Sequence, residues 1–198
     1  MNILLRYKHK NDIYIMHVLD KFKHCPCCGS SEFVINDYKS KRCTSCGFIY
    51  YLNPSSAVAA FILNTNNELL VVVRKNDPKK NTFDLPGGFV DIDETIELAL
   101  SREIKEETNL TLTSSHLLFT LPNHYKYSGF DVPTLDTFFI VQVKNDKELK
   151  AGDDAKDVIW IPIDKIDYRQ FGLYSIRKAI CKFIEFKNKK KKQKGTVK

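Results

Sequence analysis

Two Cys-X-X-Cys pairs, Cys25/Cys28 and Cys43/Cys46, constrain this chain more than any other feature of its sequence, because each is followed directly by a glycine, Gly29 and Gly47. A tight turn that delivers two thiolates to one ion wants a residue at positive φ, which glycine adopts without steric cost. Four soft thiolates at this double spacing suit tetrahedral Zn²⁺. With all four positions supplied by protein, no place is left for a reacting water, so the ion is expected to be structural and to compensate for a segment too short to bury a core of its own. Two disulfides are the competing use of the four thiols, and a reducing compartment disfavours them. Cys27 falls inside the first turn as a bystander, and Cys181 falls in a late amphipathic segment.

Around this module the chain divides into an N-terminal extension at 1–20, the cysteine module at 21–52, a larger domain at 53–186 and a basic, disordered tail at 187–198. The tail holds seven lysines and no acids, which accounts for the whole net charge of +7 over 198 residues. Basicity is therefore a property of the tail, where it allows a weak nucleic-acid contact, and not of the domain. No run of eighteen apolar residues occurs, and charges interrupt the N-terminal stretch where a signal peptide needs an apolar centre. The expectation is a cytoplasmic protein with no membrane partner, and the sequence is compatible with an oligomer.

The larger domain reads as α/β. Ala57 to Asn64 and Glu68 to Lys75 are apolar runs of strand length joined by an Asn-containing turn, the pattern of a hairpin. Pro86, Gly87 and Gly88 then punctuate the chain. The best helix of the sequence is expected from Asp91 to Glu107, with later strands at 112–121, 134–143 and 157–163 and a closing helix from Leu173 to Phe186.

That first helix changes character halfway. With Ile96 at zero and about 100° per residue, Ala99, Leu100 and Ile104 share its face, and Glu103 and Glu107 land at about −20° and +20° on the same face. Glu106 lies near −80°. The line that begins as apolar core thus ends as carboxylate. Unpaired buried carboxylates are unfavourable and repel one another unless cations neutralise them, and clustered hard oxygens with room for water are what Mg²⁺ or Mn²⁺ accepts. The competing reading has this end of the helix emerging into solvent.

The stretch "GFVDIDETIELALSREIKEETNL", Gly88 to Leu110, resembles the Nudix box, G-X5-E-X7-R-E-U-X-E-E-X-G-U, with Gly88, Glu94, Arg102, Glu103, Ile104, Glu106, Glu107 and Leu110 at the matching positions. Asn109 stands where the pattern has glycine, and asparagine is the residue other than glycine that best tolerates a left-handed helix cap. The cysteine module resembles the zinc ribbon joined to Nudix domains in the NADH pyrophosphatase group, although that group's downstream Ser-Gln-Pro-Trp is absent. The resemblance implies a Nudix fold, a mixed β-sheet sandwiched between helices, preceded by a small zinc ribbon.

It also implies an activity: hydrolysis of a nucleoside diphosphate linked to another moiety, such as NADH or ADP-ribose, with Mg²⁺ or Mn²⁺. Glu103 and Glu107 would be the main metal ligands, Glu106 would assist and the Gly87 carbonyl would complete the set, while Arg102 and Glu94 orient them. The general base would be Glu106, Glu107 or one of Asp153 and Asp154 on a later loop. Arg74 is a candidate phosphate contact. Tyr125 and Tyr127 are candidates for stacking a base, or else strand residues packed on the closing helix. Tyr127 follows the box at a distance similar to that in diadenosine polyphosphate hydrolases. Two rival functions remain on this fold: a non-catalytic nucleotide or RNA sensor acting through the ribbon and the lysine tail, and an isoprenoid diphosphate isomerase, which would need a cysteine that zinc has not claimed.

Overall fold

A computed structural model describes residues 6–9, 12–15, 17–152 and 155–195, with side chains for 17–152 and 155–189. The chain forms two compact units, Met1–Pro54 and Ser55–Lys198. In the first, β1 (Arg6–His9) pairs antiparallel with β2 (Asp12–Ile15), and β3 (Phe33–Asp37), β4 (Ser40–Cys43) and β5 (Ile49–Tyr51) make a three-stranded antiparallel sheet. Its core consists of Cys25, Phe33 and Cys43, with Phe22 and Tyr50 stacked alongside at 5.8 Å between ring centroids. This cluster of the described residues is small, the situation in which a cross-link adds most to stability.

The second unit contains β6 (Ser55–Ile62), β7 (Glu68–Arg74), β8 (Phe83–Asp84), β9 (Gly87–Phe89), α1 (Ile96–Thr108), β10 (Leu112–Tyr127), β11 (Phe130–Val143), β12 (Ala155–Pro162) and α2 (Tyr174–Gly195). A four-stranded sheet runs β10-β11-β6-β9 and is mixed, because β6 lies parallel to β11. A three-stranded antiparallel sheet runs β12-β7-β8.

Successive side chains of a strand point to opposite faces. Val58, Ala60 and Ile62 of β6 accordingly enter one core with Leu100 and Ile104 of α1, while Ala59 and Phe61 enter another with Ile180 and Phe183 of α2. Phe61 stacks on Phe183 at 4.0 Å. Leu69 and Leu70 of β7 divide in the same way, as do Phe138 and Phe139 of β11. A helix therefore covers each side of the sheets. Among the described residues no helix is long and apolar enough to cross a membrane.

Three sequence expectations require correction. The runs at 57–64 and 68–75 do turn at Asn64–Asn67 and are joined there by Asn64–Glu68 hydrogen bonds and a Leu63–Leu69 bridge, but beyond that they enter different sheets. Each is apolar on both faces, so each becomes an interior strand of its own sheet. The strands expected at 112–121 and 134–143 run further, through 122–133, as the arms of one long β10–β11 pairing, with the turn at Ser128 and Gly129 in the left-handed region. The tail expected to be disordered from 187 continues α2 as far as Gly195. Lysine is a good helix former, and cations at a helix C-terminus complement its dipole.

Candidate active site

Helix α1 begins after Asp91–Glu94, a turn in which Asp93 adopts a φ of 64° and the Glu94 carboxylate accepts the Asp91 N–H at 3.1 Å. Thr95 is the N-cap, its hydroxyl accepting from the Leu98 N–H. The helix ends at Asn109, whose φ of 58° and ψ of 7° are left-handed, with its N–H donating to the Lys105 carbonyl. The last turn is capped from outside: Lys150 N–H donates to the Thr108 carbonyl and Gly152 N–H to the Glu107 carbonyl, both at 3.0 Å. A Cβ on Gly152 would stand 1.8 Å from the Glu106 carbonyl oxygen, so only glycine permits this approach.

Both ends of the helix being fixed, its carboxylates take different environments. Arg102 forks onto Glu94, Nε to Oε1 at 2.9 Å and Nη2 to Oε2 at 2.8 Å, and donates through Nη1 to Glu103 at 2.8 Å and Glu106 at 3.1 Å. Its Nη2 also donates to the Phe89 carbonyl, tying β9 to α1. Arg102 holds the Glu94 carboxyl below the usual carboxylate range. At Glu103, burial outweighs Arg102 and pushes the carboxyl up.

Glu107 is the most perturbed of the three. Burial, with Asp84 and Glu103 adding repulsion, pushes it up to about 8 against the opposing Gly87 N–H, which donates to Oε2 at 2.9 Å. Gly87 cannot carry a side chain, since a Cβ would fall 2.1 Å from the Val58 carbonyl oxygen, and a Cβ on Gly88 would fall 2.4 Å from Glu103 Oε1. The double glycine lets backbone and carboxylates come together.

Glu103 and Glu107 line a cavity of about 370 Å³ with Gly87, Gly88, Arg74 and Tyr125. Glu106 lies outside it, its side chain 59% exposed, on an open depression shared with Lys150. Arg74 is held by Asp84 at 2.5 Å, by the Pro78 carbonyl at 2.9 Å and by the Tyr125 hydroxyl at 3.3 Å. It is thus the partner of a buried acid: burial raises Asp84 while Arg74 opposes. Tyr125 packs edge-on against Phe89, 5.6 Å between centroids, whereas Tyr127 is exposed at the strand end and does not line the cavity. Asp153 and Asp154 lie outside the described residues.

Sequence reading missed Asp84, Asn123, Thr134 and Asp136, all of which line the cavity. A signal for Asp84 and Asp136 was available, since each is a lone acid within an otherwise apolar strand run, "FDL" and "TLDTFFIV".

In the first unit, Cys25 and Cys46 Sγ are 3.7 Å apart, Cys28 and Cys43 3.6 Å, and all four lie within 4.8 Å of one another. A tetrahedron with Zn–S of about 2.3 Å has edges near 3.8 Å, so the cluster is compatible with zinc. Gly29 and Gly47 adopt φ of 76° and 79° and donate to the Cys25 and Cys43 carbonyls, two turns of the same design. Cys27 stays outside the cluster. The acids of α1 form no comparable knot among the described residues; what fits a divalent cation there is their chemistry, hard oxygens that include the partly buried Glu103, paired with Arg102, and the more deeply buried Glu107.

A model of the NUDIX domain matches residues 53–181. The chain belongs to the Nudix family. Over 138 residues this Nudix protein is 38% identical to an ADP-ribose pyrophosphatase of Methanocaldococcus jannaschii, which covers 70% of this chain and 78% of that one. It is 32% identical over 104 residues to the NAD-capped RNA hydrolase NudC of Haemophilus influenzae, covering 50% of this chain and only 38% of that relative. A NUDIX hydrolase structure from Nitrosomonas europaea superposes with a TM-score of 0.64 over 82% of this chain and 90% of its own, at 20% identity, which is a likeness of fold. The mixed and the antiparallel sheet between α1 and α2 are the Nudix fold, and the box resemblance at Gly88–Leu110 coincides with the site just described.

Proposed function

We propose that this Nudix protein is a divalent-metal-dependent pyrophosphohydrolase whose substrate is a nucleoside diphosphate joined to a second moiety, ADP-ribose foremost. The observation that carries the reading is Glu107: a carboxyl buried at the cavity wall, beside Glu103 and Asp84, is unfavourable in a protein that never neutralises it. The name of the Methanocaldococcus relative supports the substrate class, and that of the NudC relative makes NAD-linked substrates the next to test.

Glu103 and Glu107 would hold Mg²⁺ or Mn²⁺, with the Gly87 carbonyl as a further oxygen. When bound, the metal neutralises the diphosphate and acidifies water. Arg102 keeps Glu103 and Glu106 aimed by pairing with both while its fork is fixed on Glu94. Glu106, exposed at the edge of the site, would accept the proton of the attacking water, with Glu107 and Asp153 or Asp154 as the other candidates. Water adds to one phosphorus, the bridging P–O bond breaks and the departing phosphate takes a proton, so ADP-ribose and water give AMP and ribose 5-phosphate.

The test is an assay of the full chain with Mg²⁺ or Mn²⁺ against ADP-ribose, NADH, NAD-capped RNA, FAD, diadenosine polyphosphates and nucleoside triphosphates. Turnover lost in Glu107→Gln supports the reading. Tight nucleotide binding without turnover of any substrate would favour the non-catalytic sensor instead.

A further inference from the structure

The cavity has a second polar wall, away from the glutamates of α1. Asp136 of β11 is 6% exposed and accepts three hydrogen bonds: from Thr134 Oγ1 at 2.5 Å, from Ser175 Oγ at 2.6 Å and from Asn123 Nδ2 at 3.1 Å. A carboxylate only accepts, so the amide of Asn123 has to turn its nitrogen toward Asp136 and its oxygen away. Asn123 is itself 7% exposed and lines the cavity, and among the described residues its Oδ1 has no partner. Because no sealed side-chain oxygen or nitrogen of the described residues lacks a partner, that oxygen opens on the cavity. It is a fixed acceptor, buried and waiting for a donor.

Tyr125 lies two residues further along β10, hence on the same face, with its hydroxyl held by Arg74 and its ring edge-on to Phe89. Ala57 and Ala59 of β6 leave the floor open beneath. A flat aromatic wall beside an acceptor of fixed direction is the chemistry that reads one edge of a nucleobase.

We propose that Asn123 sets base specificity by accepting a hydrogen bond from the exocyclic amino group of adenine, and that Asp136 is the positioning residue that locks its orientation. The assignment rests on the pyrophosphohydrolase reading for the presence of a nucleotide in this cavity. Hypoxanthine presents a carbonyl oxygen where adenine has the amine, so it meets Oδ1 lone pair to lone pair, and the amide cannot flip without abandoning Asp136.

The experiment compares kcat/KM of the full chain for ADP-ribose, its hypoxanthine counterpart and 2′-deoxy-ADP-ribose. The native protein is expected to prefer adenine over hypoxanthine by about tenfold or more, the cost of facing a buried polar group with no partner. Asn123→Ala should bring that ratio within about twofold, mainly by raising KM for ADP-ribose. A native ratio near one, or a ratio that survives Asn123→Ala, overturns the proposal. So does discrimination against the 2′-deoxy substrate that vanishes in Asn123→Ala, since the acceptor would then read the ribose. If Asn123→Ala does not fold, Asn123→Ser answers by the same ratio. Equal turnover of both bases defeats this inference alone, whereas turnover of neither defeats the hydrolase reading. In that second case, calorimetric binding of AMP against IMP measures the same preference.

Discussion

The Gly87 amide donates to the carboxylate of Glu107, a residue twenty positions later in the chain, at 2.9 Å. This bond joins the start of β9 to the last turn of α1, and it is the only backbone donor that meets this carboxylate among the described hydrogen bonds. One N–H is too little to stabilise an ionised carboxylate in that position, which is the deficit the proposed cation would fill.

Glu107→Gln keeps an oxygen to accept from Gly87 while removing the charge. Hydrolysis of ADP-ribose should fall about 100-fold or more, corresponding to several kcal/mol of lost transition-state stabilisation, with little change in circular dichroism. Initial-rate measurements at saturating Mn²⁺ check it.

The pH dependence has a definite sign. Glu107 sits at about 8 in the folded protein against an ordinary value of 4.5. The folded state therefore binds the proton more tightly, and the stability this group contributes is complete below pH 4.5 and lost as pH rises to 8 and beyond. Metal-free protein should melt at lower temperature near pH 8.5 than near pH 6, with the slope flattened in Glu107→Gln. A cation that takes the proton's place should raise Tm more at the higher pH. Scanning calorimetry with and without Mn²⁺ reads both effects.

Gly88→Ala places a Cβ at 2.4 Å from Glu103 Oε1. The carboxylate must move, so weaker Mn²⁺ binding and slower turnover are expected with the fold intact. Titration of Mn²⁺ by electron paramagnetic resonance would show the loss; unchanged affinity would mean that Glu103 does not hold the metal.

At Asn109 the two obvious substitutions should differ. Glycine accepts the left-handed conformation and loses only the side-chain bond to the Glu148 carbonyl, a cost of about 1 kcal/mol or less. Valine is β-branched and strained there, costing more, on the order of 2 kcal/mol. Urea unfolding of both variants gives the comparison.

One zinc per chain is expected by elemental analysis, and four thiols should become reactive together when a chelator removes it. Cys43→Ser should abolish binding, because Cys43 is fully buried beside Cys25 and Phe33 and has no room to be replaced by another ligand. Cys27→Ser should leave zinc content unchanged.

The parts of the site legible in sequence were those written locally. The helical period placed Glu103 and Glu107 on the buried face and Glu106 at its margin, and in the structure Glu107 is buried and Glu106 exposed. Asn109 could be read because a left-handed cap is a property of one residue and its neighbours. Asn123, Asp136 and Ser175 could not be assembled in advance, because their meeting depends on the β10–β11 register and on where α2 docks. The splitting of β6 from β7 was hidden for a related reason: an apolar run shows that a strand is covered on both faces, not which neighbours flank it. Helix α2 outran its apolar pattern, since lysines carry helical propensity without leaving a periodic stripe.

The alternation of β6 between two cores has a consequence for how the Nudix unit comes apart. A layer that shares its central strand with the opposite layer cannot loosen alone: freeing Ala60 and Ile62 from α1 disturbs the backbone that holds Phe61 against Phe183. The amides of β6 should therefore exchange with solvent deuterium only when the whole unit opens, and a substitution on either side should accelerate that exchange on both.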